Sequence, residues 1–150
     1  MVGMDNNKLF ANEYIQIGAL TAMISIAKRM GIEHGVAFIS VQEARTNIRN
    51  LQFAIVEGRF QRDSRGEGDL GTNHFGIAME KLAVMMGTGY RSGHLPGSLR
   101  KGESAYRGGL LRQEGDYCVY VGFSGGTEDQ DVEIAESGMK MLFPEKQWLD

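Results

Sequence analysis

The chain has 150 residues, 42% hydrophobic and 23% charged, which suits one globular domain spanning 1–150 with a sizeable core. A formal charge of −3 gives no electrostatic footing for nucleic acid or an anionic membrane, so neither is an expected partner. No apolar run reaches the roughly 20 residues of a membrane-spanning helix.

Residues 8–30 read as a first helix. Phe10, Tyr14, Ile17, Thr21 and Ile24 recur at spacings of four and three, Lys28 and Arg29 suit the negative end of the dipole, and Gly31 follows as a cap. Met23 and Met30 widen the stripe and point to burial between layers or subunits. A strand is expected at 35–41, a polar hairpin connection at 42–50, and a second strand at 51–56 with Leu51, Phe53 and Ile55 on one face. The stretch 57–71 turns polar and glycine-bearing. Its arginines (Arg59, Arg62 and Arg65, after Arg45 and Arg49) alternate with Glu57, Asp63, Glu67 and Asp69, so it reads as a solvated loop.

A second helix is expected at 73–87, with Ile77, Leu82, Met85 and Met86 as its apolar residues, followed by a glycine-rich connection through 88–107. Strands at 108–113 and 116–123 are joined by a Gln113-Glu114-Gly115-Asp116 turn. Cys118 lies in the apolar run 117–121; as the one cysteine it excludes an intrachain disulfide and reads as a core residue. The final helix carries the sharpest local signature. Thr127 followed by Gln130 forms a capping box, and Glu128, Asp129 and Asp131 place negative charge on its N-terminus. Its stripe is Val132, Ala135, Met139 and Leu142, and Pro144 stops it. Short links between strands, with helices before and after, imply an antiparallel sheet in an α+β arrangement. Asp5, Lys8 and Glu13 interrupt the first segment in a way unlike a signal peptide, so the expected location is cytoplasmic.

The chain resembles the GlcG/HbpS-like family, to which the C-terminal domain of PduO is related. Gly108-Gly109 opening a strand, the Gly115-Asp116 turn, Ser124-Gly125-Gly126-Thr127, then Gln130-Asp131 and Ile134-Ala135-Glu136-Ser137-Gly138 carry the likeness. Pro96-Gly97 and Lys81 in the second helix match more loosely. The 42–50 connection, Val56-Glu57-Gly58 and the 59–72 loop depart from the family pattern. The resemblance implies a profilin-like fold, a five-stranded antiparallel sheet flanked by helices in α/β/α layers, and a homo-oligomer. Its members stand beside glycolate and diol utilisation genes, are attached to corrinoid adenosyltransferases, or serve as a secreted haem-binding sensor component.

Three readings of function stay open. One is a small-ligand-binding protein for haem or a corrinoid-like tetrapyrrole, with His74 as axial ligand. No histidine lies in the first helix, where the adenosyltransferase-linked relatives place their iron ligand. His34 reads as finishing the first helix and His94 as a surface-loop residue. A second reading is an enzyme or accessory protein acting on a small hydroxy-acid or diol, with Lys81, His74, Gly125, Gly126 and Thr127 around a polar pocket. The third is a ligand-free oligomer joined through methionine-rich faces. No Walker loop, dinucleotide motif or nucleophile elbow is present, so no catalytic residue is assigned. Ser124-Gly125-Gly126 before a helix would suit an anion, but three carboxylates occupy that first turn and favour a structural cap.

Overall fold

A computed structural model describes residues 6–46, 48–94 and 97–144. After a short 3-10 segment, the Asn12 side chain accepts a hydrogen bond from the Ile15 N–H at 3.0 Å and starts helix α1 (Glu13–Arg29). The cap explains why α1 begins at residue 13 rather than 8. Strand β1 (Val36–Glu43) follows and pairs antiparallel with β2 (Gln52–Ile55), as the hairpin reading expects. Helix α2 (His74–Thr88) comes next, then strands β5 (Gly109–Glu114) and β6 (Tyr117–Ser124), and finally α3 (Glu128–Leu142) with its capping box formed.

The main sheet runs β2-β1-β6-β5, antiparallel throughout. It has four described strands where the resemblance implies five. The remaining pairing is a separate two-residue ladder, β3 (Gln61–Arg62) against β4 (Thr72–Asn73). That ladder closes the 59–72 loop on itself. Asp69 accepts both prongs of the Arg62 guanidinium and the N–H groups of Arg65 and Gly71, so the segment makes its own hydrogen bonds instead of joining the sheet.

Both faces of the sheet are covered. Ala37, Ile39, Val119, Val121 and Phe123 pack under α1 and α3, while Val36, Phe38 and Tyr120 pack against Ala78, Leu82 and Met85 of α2. Burial on both sides accounts for the nearly unbroken apolar run of β1. Gly122 makes room for the Phe38 ring: a Cβ there would stand 2.4 Å from it. Of the 42–50 stretch that departs from the family pattern, Gln42 and Glu43 extend β1 and pair with Cys118 and Tyr117 of β6, where a connection is expected from the sequence; the 59–72 stretch lies outside the main sheet.

The first helix buries a different face from the one its spacing suggests. Gln16, Ala19, Leu20, Met23 and Ala27 point inward, whereas Tyr14 is 83% and Ile17 47% exposed. The reason is close helix packing. Gly138 of α3 lets Met23 approach so nearly that a Cβ on Gly138 would lie 2.4 Å from its sulfur. Small residues and methionine therefore face the partner helix, and the bulkier stripe faces out. Met23→Ala is expected to destabilise by about 2–5 kcal/mol in urea unfolding, and Ile17→Ser by no more than about 0.5 kcal/mol. A large loss at Ile17 would put that outer face in contact with something.

Candidate functional site

The chemistry-bearing side chains gather where β6 ends and α2 and α3 begin. Asn73 caps α2 by accepting from the Gly76 N–H at 2.9 Å, and the backbone N–H of His74 donates to Phe60 O at 2.9 Å. These bonds hold His74 at the mouth of α2 with only 8% of its surface exposed. Both its ring nitrogens are engaged. Nε2 lies 2.9 Å from His34 Nδ1, with the rings within 12° of parallel, and Nδ1 lies 3.4 Å from Ser124 Oγ. Burial, reinforced by His34, Lys81 and Arg62, lowers the His74 pKa to about 4, so the ring is neutral at pH 7. An iron ligand needs an imidazole nitrogen with a free lone pair. Here both nitrogens already serve the Ser124–His74–His34 chain.

Two helical turns further along α2, Lys81 is 1% exposed. Its ammonium donates to Phe123 O at 2.8 Å and to Asp131 Oδ2 at 3.0 Å, and Asp131 Oδ1 accepts from the Gly126 N–H at 2.8 Å. Burial pushes Lys81 down and Asp131 up to about 6, while their mutual attraction opposes both shifts. Gly108, in a left-handed conformation (φ 121°), passes over this pair; a Cβ there would stand 2.7 Å from both Lys81 Nζ and Asp131 Cβ. Lys81 is therefore sealed against its partner and lines neither of the cavities described below.

The glycines and Thr127 are likewise occupied by the fold. A Cβ on Gly125 (φ 153°) would lie 2.5 Å from His34 O, so Gly125 serves a close backbone crossing. Thr127 Oγ1 accepts from Gln130 N, and the Thr127 N–H donates to Gln130 Oε1 at 2.9 Å. With the Gly126 N–H on Asp131, the donors that would cradle an anion are satisfied internally. The structure thus brings His74, Lys81 and Gly125–Thr127 into one region, joined by Asp131, Ser124 and His34, which the sequence reading did not assign. The spacing held a signal for Lys81: it falls on the stripe Ala78, Leu82, Met85 that faces the sheet.

Two cavities flank this cluster. A groove of about 680 Å³ lies beside the end of α2 and the β5–β6 ladder, lined by Tyr90, Arg91, His94, Leu111, Arg112, Cys118 and Tyr120 among others. Burial raises the Tyr120 phenol and the Cys118 thiol, so both stay protonated. A cleft of about 530 Å³ opens on the other side, between Glu33 and His34 and the segment 58–65. His34 therefore reaches a cavity and His94 lines another, although the sequence reads them as a helix end and a loop residue. His94 precedes Leu95 and Pro96, which lie outside the described residues. Among the described residues there is no group of three metal-ligating side chains, and no helix is long and apolar enough to cross a membrane.

Removing one partner of the buried pair leaves the other charge stranded. Asp131→Asn is expected to cost about 3–5 kcal/mol in chemical unfolding, and Lys81→Met with Asp131→Leu to recover much of it. His74 has its own signature. Between about 6.5 and 4 the unfolded chain binds a proton that the folded ring refuses, so this stabilisation is complete above 6.5 and is lost as pH falls toward 4. Asp131 acts oppositely, because the folded carboxyl holds its proton up to about 6 against an ordinary 3.8. The readout is therefore a difference: the stability advantage of wild type over His74→Gln shrinks by on the order of 2 kcal/mol from pH 6.5 to 4. A constant difference would mean that His74 titrates as in an unfolded chain.

No family model matches the chain, and no curated protein matches it. Solved structures do. The PduOC–haem complex is 20% identical, with the match covering 87% of this chain and 94% of that one at a TM-score of 0.51. The structure of Ybr137w protein is 15% identical, covering 91% and 80%, with a TM-score of 0.53. HbpS is a looser likeness, 16% identical over 95% and 94%, with a TM-score of 0.43. The chain therefore shares the fold of the PduOC structure.

Proposed function

We propose that the chain is a GlcG/HbpS-like small-ligand-binding protein whose ligand is haem or a corrinoid-like tetrapyrrole, held in the groove beside β5 and β6. The observation that carries this reading is the groove itself. About 680 Å³ of space is walled by Leu110, Leu111, Tyr90 and Tyr120, with His94 and two guanidiniums in the same lining, Arg91 and an Arg112 that also pairs with Glu114 at 3.0 Å. A flat apolar ligand with anionic side groups needs that combination of walls and cations, and a drug-sized site has a similar volume. Among the groove's candidate iron ligands, which include the Tyr90 and Tyr120 phenols and the Cys118 thiol, a neutral His94 imidazole is the one that binds iron without losing a proton, and it is the axial candidate. This replaces His74, whose nitrogens are spent within the fold. Bound haem would supply an iron centre for redox or gas-ligand chemistry, and the protein's part is to hold it. The haem in the PduOC structure, on the same fold, supports the choice of ligand class.

The reading that placed Lys81, His74 and the glycines around a polar pocket for a hydroxy-acid loses its geometry, because those groups face one another and the backbone. The oligomeric reading keeps one observation. Tyr14, Ile17 and Met141 leave apolar surface exposed on α1 and α3.

Haemin titration followed by visible absorbance tests the proposal. A saturable Soret shift near one equivalent is expected, weakened at least about tenfold by His94→Ala and retained in His74→Ala. Loss in His74→Ala alone would return the axial role to His74. No saturable shift in wild type would remove the tetrapyrrole.

A further inference from the structure

The second cleft shares no lining residue with the groove, and its walls are pinned from several directions. Gly35 N donates to Arg59 O at 2.9 Å, and His74 N to Phe60 O at 2.9 Å, which ties the segment after β2 to the start of β1 and to α2. Arg62 is held as a fork by Asp69 at 2.8 and 3.0 Å, and that pairing holds the Asp69 carboxyl well below the usual carboxylate range. Arg62 is thereby neutralised. Arg59 and Arg65, on the same wall, form no ion pair within 4 Å among the described residues.

On the opposite wall His34 is half-buried, with Nδ1 bonded to His74. Its Nε2 makes no hydrogen bond among the described residues. The direction of the chain behind it decides what Nε2 offers. With the Ser124 hydroxyl as donor to His74 Nδ1, a neutral His74 carries its proton on Nε2 and donates to His34 Nδ1, and His34 then carries its proton on Nε2; with Ser124 as acceptor the order reverses. In the first order each donor meets an acceptor, and the one donor left over is presented by a residue lining the cleft.

From this geometry we infer that the cleft between His34 and the 58–65 segment binds a small carboxylate, which accepts from His34 Nε2 and pairs with Arg59 and Arg65. Glu33 and Asp63 also line the cleft, and their charge disfavours a dianion such as phosphate. A monoanionic carboxylate matches a planar guanidinium as well as an imidazole donor. His74 and Ser124 are positioning residues: they set the tautomer of His34 without reaching the ligand.

The test is NMR observation of the His34 ring during titration with sodium acetate, and separately with inorganic phosphate, at constant ionic strength. A saturable shift with acetate below about 50 mM is expected, together with nitrogen shifts that place the proton on Nε2. The apparent affinity should fall at least about tenfold in Arg59→Gln/Arg65→Gln, whose exposed positions leave the fold intact. No saturation with acetate, saturation with phosphate alone, a proton on Nδ1, or unchanged binding in the double variant would each overturn the assignment. Because haemin is read at the groove and acetate at the cleft, failure of either proposal is visible without the other.

Discussion

The buried Lys81–Asp131 pair is the constraint from which the rest of the site hangs. Its two residues come from helices on opposite faces of the sheet, and they meet around the end of β6. Two charges placed in so dry a position would each suffer a large desolvation penalty. What offsets it is the set of additional bonds: Phe123 O accepts from the ammonium, and Gly126 N donates to the carboxylate. Those backbone partners are what the pair positions. Gly126 fixes the turn after Ser124, and Ser124 faces His74. Gly108, forced to pass over Lys81, delivers Gly109 to Ser92, whose hydroxyl accepts from the Gly109 N–H at 2.8 Å and steadies the loop that carries Arg91 and His94. The ion pair thus lies between the backbone segments that lead toward the two cavities.

Packing explains the composition around that centre. A sheet covered on both faces by helices leaves little room between layers, so close approach is bought with glycine at Gly122 and Gly138 and filled with methionine at Met23, Met85 and Met139. The same economy of space denies His74 the open face that a metal ligand requires. A histidine at a helix start, next to a glycine-rich turn, looks like a site in one dimension. In three, its ring is stacked on another imidazole and hydrogen-bonded at both nitrogens.

Much of the local structure was legible because it rests on local rules. The Thr127–Gln130 box, the turn before β6 and the β1 run depend on neighbours within a few residues; the box stands where its residues place it, the turn is tighter than expected because Gln113 and Glu114 stay in β5, and β1 runs on to Glu43. The buried face of α1 was not legible. Two stripes of that helix are apolar, and the choice between them is made by Gly138, far along the chain. Lys81 was half legible. Its place on the α2 stripe announces burial, but nothing in the spacing names Asp131 as the partner 50 residues later. The arginines at 59, 62 and 65 were read as a solvated face because their signs alternate with acids. Folding separates them: Asp69 claims Arg62, and the others stay on the wall of a cleft.

The two imidazole environments divide the labour between the cavities. A ligand field for iron requires a nitrogen lone pair, and a carboxylate site requires a nitrogen proton. His94 lines the groove beside the Tyr90 ring, and among the described residues no second imidazole bonds to it. His34 bonds through Nδ1 to a neutral His74 that also meets a serine hydroxyl, and the proposed order of that chain directs a proton toward the cleft. Metal chemistry and anion recognition are thus proposed for different cavities, with the buried ion pair lying between them.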